Sequence, residues 1–301
     1  MTGAATSVQA MNYGNPADHA GSALTWLFVP GDRAERFPKA AGSGADAVIL
    51  DLEDAVAPED KEDARRSVNE YLLAGNSGYV RINGEGTDYY AADLASLANV
   101  GAALRGVMVP QSERVHTFEE VDGALPPGAV TIPLIETAAG VHAAYDLAGA
   151  PRVARLAFGS ADLMLQTGIE DESRGLLLAR STLVLASRAA GLEGPIDGIT
   201  TNLDSPAISR HDAEDGRGLG FAGKLCLHPR QIAPVVQGFV PAFSESEWAA
   251  HVLEAVAQAH GQAVRFEGQM VDRPVLELAQ RISARSHRIA TMTDEVNGAR
   301  R

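Results

Sequence analysis

Residues 47–54 read Ala-Val-Ile-Leu-Asp-Leu-Glu-Asp, four apolar residues in a row and then three carboxylates within four positions. A run rich in Val, Ile and Leu without alternation fits a strand buried on both faces. Charged groups avoid a core unless they are paired or bound to metal. The stretch therefore reads as a buried parallel strand whose C-terminal end opens onto a polar rim.

The same layout recurs seven more times. WLFVPG (26–31), YVRING (79–84), GVMVPQ (106–111), VTIPLIET (130–137), RLAFGSADL (155–163), GPIDGIT (194–200) and GKLCLHP (223–229) are short apolar runs, mostly separated by segments of helical length. Eight such units predict parallel βαβ repeats. No glycine-rich dinucleotide fingerprint follows the first run, so a closed TIM (β/α)8 barrel is expected over an open sheet. Pro58 opens one connecting helix, with Glu59, Asp60 and Glu62 at its positive end and Gly75 as its stop. Another helix is expected over 172–190. Beyond Pro229, helical patterning over about 230–239, 244–260 and 274–293 exceeds what a barrel needs. The expected organisation is a flexible tail over 1–22, a catalytic barrel over 23–240, and a C-terminal helical extension over 241–301 serving as lid or oligomer contact. The tail reading rests on its small and polar residues around Gly14, Asn15 and Pro16, which have no signal-peptide layout.

Composition narrows the function. The 301 residues carry a formal net charge of −14, with 46% hydrophobic and 21% charged residues. That is the make-up of a folded protein with a core. It argues against a nucleic-acid partner, which needs a basic face, while leaving room for a small anion held by a few buried arginines. A single cysteine, Cys226, excludes a disulfide framework and a multi-cysteine metal site, and points to the reducing cytoplasm. No run of 18 apolar residues calls for a membrane span.

The ionisable residues sit where a barrel places its chemistry, at the C-terminal strand ends: Asp51, Glu53 and Asp54, then Arg81, Glu136 and Asp162. Glu136 and Asp162 lie about one β/α unit apart, so adjacent strands would bring both carboxylates to one point. Hard oxygen donors of this kind suit Mg²⁺, and no histidine stands beside them to suit zinc. The same spacing also fits Glu136 leading into a helix cap at Thr137 and Asp162 forming a turn. Arg81 offers a planar fork for a carboxylate. It fits equally a buried salt bridge to Glu53 or Asp54, and the two roles are compatible.

Lysine usage separates two aldolase chemistries. The chain has only Lys39, Lys61 and Lys224. Two fall in helical segments and the third begins its strand, so none is placed for imine catalysis, which needs a desolvated amine in the pocket. Carbonyl polarisation then falls to a metal ion. Cys226 reads as core. His228 reads as a structural hydrogen-bonding residue at the rim, and Ser160 lacks the elbow of a serine hydrolase.

LFVPG (27–31), VILDLEDAV (48–56), VRIN (80–83), PLIET (133–137), FGSAD (158–162) and GKLCLHP (223–229) together resemble the citrate lyase beta-subunit-like family, which includes malyl-CoA and citramalyl-CoA lyases. The match runs from about residue 24 to 274. The resemblance implies a TIM barrel with a C-terminal extension, assembled as trimers or hexamers. It implies Mg²⁺ held by Glu136 and Asp162, a substrate carboxylate on Arg81, and Glu53 and Asp54 as the acidic pair near the metal. It places the CoA adenine and phosphates on Phe28, Arg33 and Lys39. QMVDRP (269–274) is similar to the family segment whose Asp reaches a neighbouring subunit's site. That is Asp272, which fits equally an N-cap before Pro274.

The expected activity is Mg²⁺-dependent carbon–carbon cleavage of a 3-hydroxyacyl-CoA such as malyl-CoA or citramalyl-CoA, releasing a 2-oxo acid. Two alternatives stand beside it. One is the beta subunit of a citrate lyase complex, cleaving a citryl thioester on an acyl-carrier protein. The other is a non-catalytic oxo-acid or CoA-binding protein.

Overall fold

The computed structural model describes residues 15–259, 264–266 and 269–298. Eight strands close into a barrel in chain order: β1 (Thr25–Pro30), β2 (Ala47–Asp51), β3 (Gly78–Arg81), β4 (Leu104–Val109), β5 (Val130–Ile135), β6 (Ala157–Phe158), β7 (Ile196–Asp197) and β8 (Gly223–Cys226). Each runs parallel to the next, and β8 pairs back onto β1. Each of the eight apolar runs overlaps one strand, so the expected TIM barrel is the architecture. β6 and β7 are only two residues long. Gly159 and Gly198 follow them directly.

Among the described residues, ten helices accompany the strands: α1 (Pro16–Ser22), α2 (Phe37–Ala41), α3 (Lys61–Leu73), α4 (Tyr90–Leu97), α5 (Val115–Ala124), α6 (Ala138–Ala148), α7 (Ser160–Thr167), α8 (Glu172–Gly175), α9 (Leu177–Ala189) and α10 (Pro206–Leu219). A 3-10 turn, Pro58–Asp60, leads into α3, and Gly75, with φ +88°, ends that segment. α3 buries Lys61, Ala64, Val68 and Leu72, a stripe at the three- and four-residue spacing of a core-facing helix. Inside the barrel, Trp26, Ile49, Tyr79, Ile132, Leu134 and Leu225 belong to one cluster. Each such side chain contributes roughly 1.5–3 kcal/mol on burial.

The chain divides into two compact units, residues 1–235 and 236–301. The division falls inside α11 (Ile232–Phe239), a few residues before the expected boundary at 240. The second unit holds α12 (Phe243–Gln258), an antiparallel pair β9 (Val264–Phe266) and β10 (Gln269–Val271), and α13 (Arg273–Gly298). Its own core joins Ala249 and Val252 of α12 to Ala279 of α13. None of the helices among the described residues is long and apolar enough to cross a membrane.

The tail expected over residues 1–22 is corrected in part; residues 1–14 lie outside the described residues. Asn15 caps α1 by accepting the Ala17 N–H, and Ala20 is fully buried in the barrel cluster. The wholly buried Arg155 donates to the carbonyls of Ala20 and Ala23 at the end of α1, and to Gly194 O. Small residues read as a tail because their partner, Arg155, is more than 130 residues away.

α1 also carries a titrating contact. His19 Nε2 faces Asp46 O at 2.9 Å, and a carbonyl can only accept; Nε2 therefore holds the proton and Nδ1 accepts from the Tyr79 hydroxyl at 2.9 Å. Burial, and then the charge of Arg105, lower the His19 pKa below its ordinary 6.5. Below pH 6.5 the unfolded chain therefore binds the proton first, and stability is lost as pH falls through the folded value. Chemical denaturation between pH 7.5 and 5 is expected to show wild type losing stability relative to His19→Gln below about pH 6.5. Parallel profiles would mean that this contact is pH-indifferent.

Candidate active site at the barrel mouth

The C-terminal strand ends surround a cavity of about 310 Å³ whose lining includes Phe28, Asp51, Asp54, Arg81, Glu136 and Asp162. Asp51 and Arg81 end adjacent strands in matched register. Their side chains form a bidentate pair: Arg81 Nε donates to Asp51 Oδ1 at 2.7 Å, and Nη2 to Oδ2 at 2.6 Å. Nη1 donates to Asp54 Oδ2 at 3.3 Å. Glu53 Oε2 lies 2.8 Å from Nη1 as an ion pair, yet this buried oxygen accepts no hydrogen bond. The Phe28 ring lies beneath the guanidinium, 4.7 Å from centroid to Cζ. Burial alone would lower the Arg81 pKa, but Asp51, then Glu53 and Asp54, push it well above its ordinary value.

Glu136 follows β5 and is 4% exposed. Its carboxylate is steered from two sides. The Gln111 N–H donates to Oε1 at 2.7 Å, from a backbone at φ +48° that non-glycine residues seldom adopt. On the other side Gly159 leaves the necessary space, because a Cβ there would stand 2.5 Å from Glu136 Oε2. Glu136 does not serve as the helix cap; Thr137 Oγ1 does, accepting the Gly140 N–H. Asp162 lies in the first turn of α7.

Burial and mutual repulsion raise the pKa values of these carboxylates. Burial, then the charge of Glu53, pushes Glu136 up to about 8, with Asp162 adding to the rise and the Gln111 N–H and Arg81 opposing it. Glu53 is pushed up to about 7 by burial; Arg81 counters that, and Asp54, Asp51 and Asp162 reinforce it. Asp162 is raised by burial and by Asp54. Like charges crowded in a poorly hydrated space favour protonation, or a cation.

The remaining candidates separate. Phe28 and Lys39, together with Arg36 and His228, line a second cavity of about 360 Å³. Arg33 does not line it; it is exposed and paired with Asp32 at 3.3 Å. Asp272 belongs to the second unit and is the N-cap of α13, its Oδ1 accepting the Val275 N–H. Cys226 is fully buried, its thiol pushed up to about 12 by desolvation. His228 Nδ1 accepts the Arg230 N–H, a structural role. Lys224 donates to Gly198 O and lies 3.5 Å from Asp197, outside the mouth cavity. Sequence reasoning named Asp51 only as one of several rim acids. It assigned nothing to Gln111 or Gly159, and it placed Lys61 only in a helical segment, away from imine chemistry. The signal for Asp51 was available: it and Arg81 are the last residues of consecutive parallel strands.

A carboxylate whose folded pKa is raised stabilises the fold below its unfolded value and loses that contribution as pH rises to the folded one. In metal-free buffer, Glu136→Gln is therefore expected to gain stability over wild type between about pH 4.5 and 8 and to level off above. The slope should approach about 1.4 kcal/mol per pH unit. A difference that does not change with pH would show that Glu136 ionises normally.

Against known proteins, the profile of the HpcH/HpaI aldolase/citrate lyase family matches residues 24–229. A citrate lyase subunit beta-like protein of Deinococcus radiodurans is 38% identical over 271 residues, spanning 84% of this chain and 94% of that protein. A (3S)-malyl-CoA thioesterase of Cereibacter sphaeroides is 32% identical over 273 residues, 88% of this chain and 94% of that one. The crystal structure of CitE from Mycobacterium tuberculosis in complex with magnesium, acetoacetate and coenzyme A aligns with a TM-score of 0.77 at 35% identity, covering 89% and 99% of the two chains. With most of the barrel matched by the profile and two thirds of the chain exceeded by each alignment, the chain belongs to the HpcH/HpaI aldolase/citrate lyase family.

Proposed function

We propose that this chain is a Mg²⁺-dependent lyase that cleaves a carbon–carbon bond in a 3-hydroxyacyl-CoA thioester and releases a 2-oxo acid. One observation carries the reading. The mouth cavity is lined by four carboxylates, Asp51, Asp54, Glu136 and Asp162, beside the Arg81 guanidinium, and the pKa values of Glu136 and Asp162 are raised there. The donor set fits a hard cation: Glu136 and Asp162 supply oxygen ligands, and no histidine or cysteine lines the cavity. Among the described residues no three His, Cys, Asp or Glu side chains form a ready-made cage. That suits Mg²⁺, which takes one or two protein carboxylates and leaves places for water and substrate. Related CitE structures from M. tuberculosis hold magnesium with pyruvate and magnesium with oxaloacetate.

When bound, Mg²⁺ supplies Lewis acidity toward the oxo acid's carbonyl and orients it. The chain's own residues do the rest. Glu136 and Asp162 would hold the ion as carboxylates, so the proton that Glu136 keeps below about pH 8 would have to leave. Glu53 Oε2 and Asp54 accept hydrogen bonds from water near the metal. Arg81 holds the oxo acid's carboxylate through Nη1, the nitrogen now engaged by Glu53 and Asp54, while Asp51 keeps the guanidinium in place. Phe28 and Lys39, joined by Arg36, bind the CoA adenine and phosphates, with Arg33 outside that cavity. On the sequence resemblance, the Asp272 carboxylate takes the thioester's α-carbon proton in the condensing direction and returns it on cleavage. The active assembly is then a homotrimer or hexamer.

The relative named as a malyl-CoA thioesterase favours a second reading, in which the thioester is hydrolysed. Product analysis separates the two. Malyl-CoA and citramalyl-CoA incubated with Mg²⁺ should give acetyl-CoA with glyoxylate or pyruvate; free CoA with the intact hydroxy acid would indicate hydrolysis. In the same assay Glu136→Ala and Asp162→Ala are expected to lose both Mg²⁺ affinity and cleavage. Asp272→Asn should lose turnover alone. Full activity of either metal-site variant in EDTA would refute the metal's role.

A further inference from the structure

The stripe that seats α3 on the barrel is Lys61, Ala64, Val68 and Leu72. Three of these are apolar. The fourth places an ammonium, 8% exposed, at the helix end beside the β2 exit. A buried charge is expensive to desolvate, and an apolar side chain of similar volume commonly serves packing as well or better. The amine is used instead on backbone: Nζ donates to Leu52 O and Glu53 O, each at 2.8 Å, and stands 5.6 Å over the Tyr89 ring.

The same turn is gripped from its other side. Asp51, while holding Arg81, accepts the N–H of Glu53 at 3.0 Å and that of Ala55 at 3.3 Å. Carbonyls are drawn to a cation and N–H groups to an anion, so residues 52–55 are clamped between opposite charges. The side chains issuing from this clamp, Glu53 and Asp54, are the two that meet Arg81 Nη1.

We propose that Lys61 is a positioning residue for the acidic rim: by fixing the Leu52 and Glu53 carbonyls, it sets the direction in which Glu53 and Asp54 face Arg81 and the Glu136–Asp162 pair. It therefore sets how tightly the mouth takes up a divalent cation. The inference rests on the lyase reading above. It requires no contact between Lys61 and substrate.

The test is titration calorimetry with Mg²⁺ on the wild-type chain and on Lys61→Met and Lys61→Arg, alongside thermal unfolding. Loss of an outer partner of a metal site typically costs 10–100-fold in affinity. Lys61→Met is expected to weaken Mg²⁺ binding by about that factor while unfolding within a few degrees of wild type, and Lys61→Arg to recover most of it. A residue that only packs would leave the affinity unmoved. Equal Mg²⁺ affinity in wild type and Lys61→Met overturns this inference and leaves the lyase reading standing; a wild-type chain that takes up no Mg²⁺ overturns both. Should Lys61→Met fail to fold, Lys61→Gln, which keeps a hydrogen-bond donor without the charge, decides by the same titration, a wild-type affinity counting against the inference.

Discussion

Asp51, Glu53, Asp54, Glu136 and Asp162 crowd the end of the barrel around the guanidinium of Arg81. Removing either partner of a buried ion pair strands the other, at a cost of about 3–5 kcal/mol. The bidentate Arg81–Asp51 pair is thus the fixed point from which the rest of the mouth is built. Its one cation cannot neutralise the other acids. The excess is stored as protons on Glu136 and Glu53, with pKa values of about 8 and 7. On the proposed reading such a site suits a divalent cation, because loading would exchange protons for metal and relieve repulsion.

The barrel makes this crowding possible. Parallel strands deliver their last residues to one rim, so groups distant in sequence meet without long loops. Rigid supports then aim them. The strained Gln111 backbone and the bare Gly159 hold Glu136 between them, and strain of this kind persists only where the surroundings over-determine it. Lys61 does for the β2 turn what Gln111 does for Glu136, using charge rather than backbone geometry.

Much of this was legible from residue order. Eight buried runs gave the barrel, and acids at the ends of the second, fifth and sixth runs gave the rim. What stayed hidden depended on direction and distance. Asp51, Glu53 and Asp54 are alike in sequence, and only strand register shows that Asp51 claims the Arg81 fork. Lys61 looks like a solvated helix residue until the stripe it shares with Ala64, Val68 and Leu72 turns it inward. Residues 16–22 look like a tail because a short, small-residue helix carries little local signal. Its anchor, Arg155, arrives from far along the chain. Assignments that rest on family likeness, such as Arg33 toward CoA and Asp272 as base, have no counterpart in local pattern. In the structure they show a surface ion pair and a helix cap.

The central claim is that the protonated acidic mouth is a Mg²⁺ site. Calorimetric titration of the metal-free protein with Mg²⁺ at pH 7, in two buffers of different ionisation enthalpy, tests it most directly. The account predicts binding with net proton release, seen as a buffer-dependent heat, since Glu136 and Glu53 carry protons near that pH. Absence of binding, or binding whose heat is the same in both buffers, would contradict it.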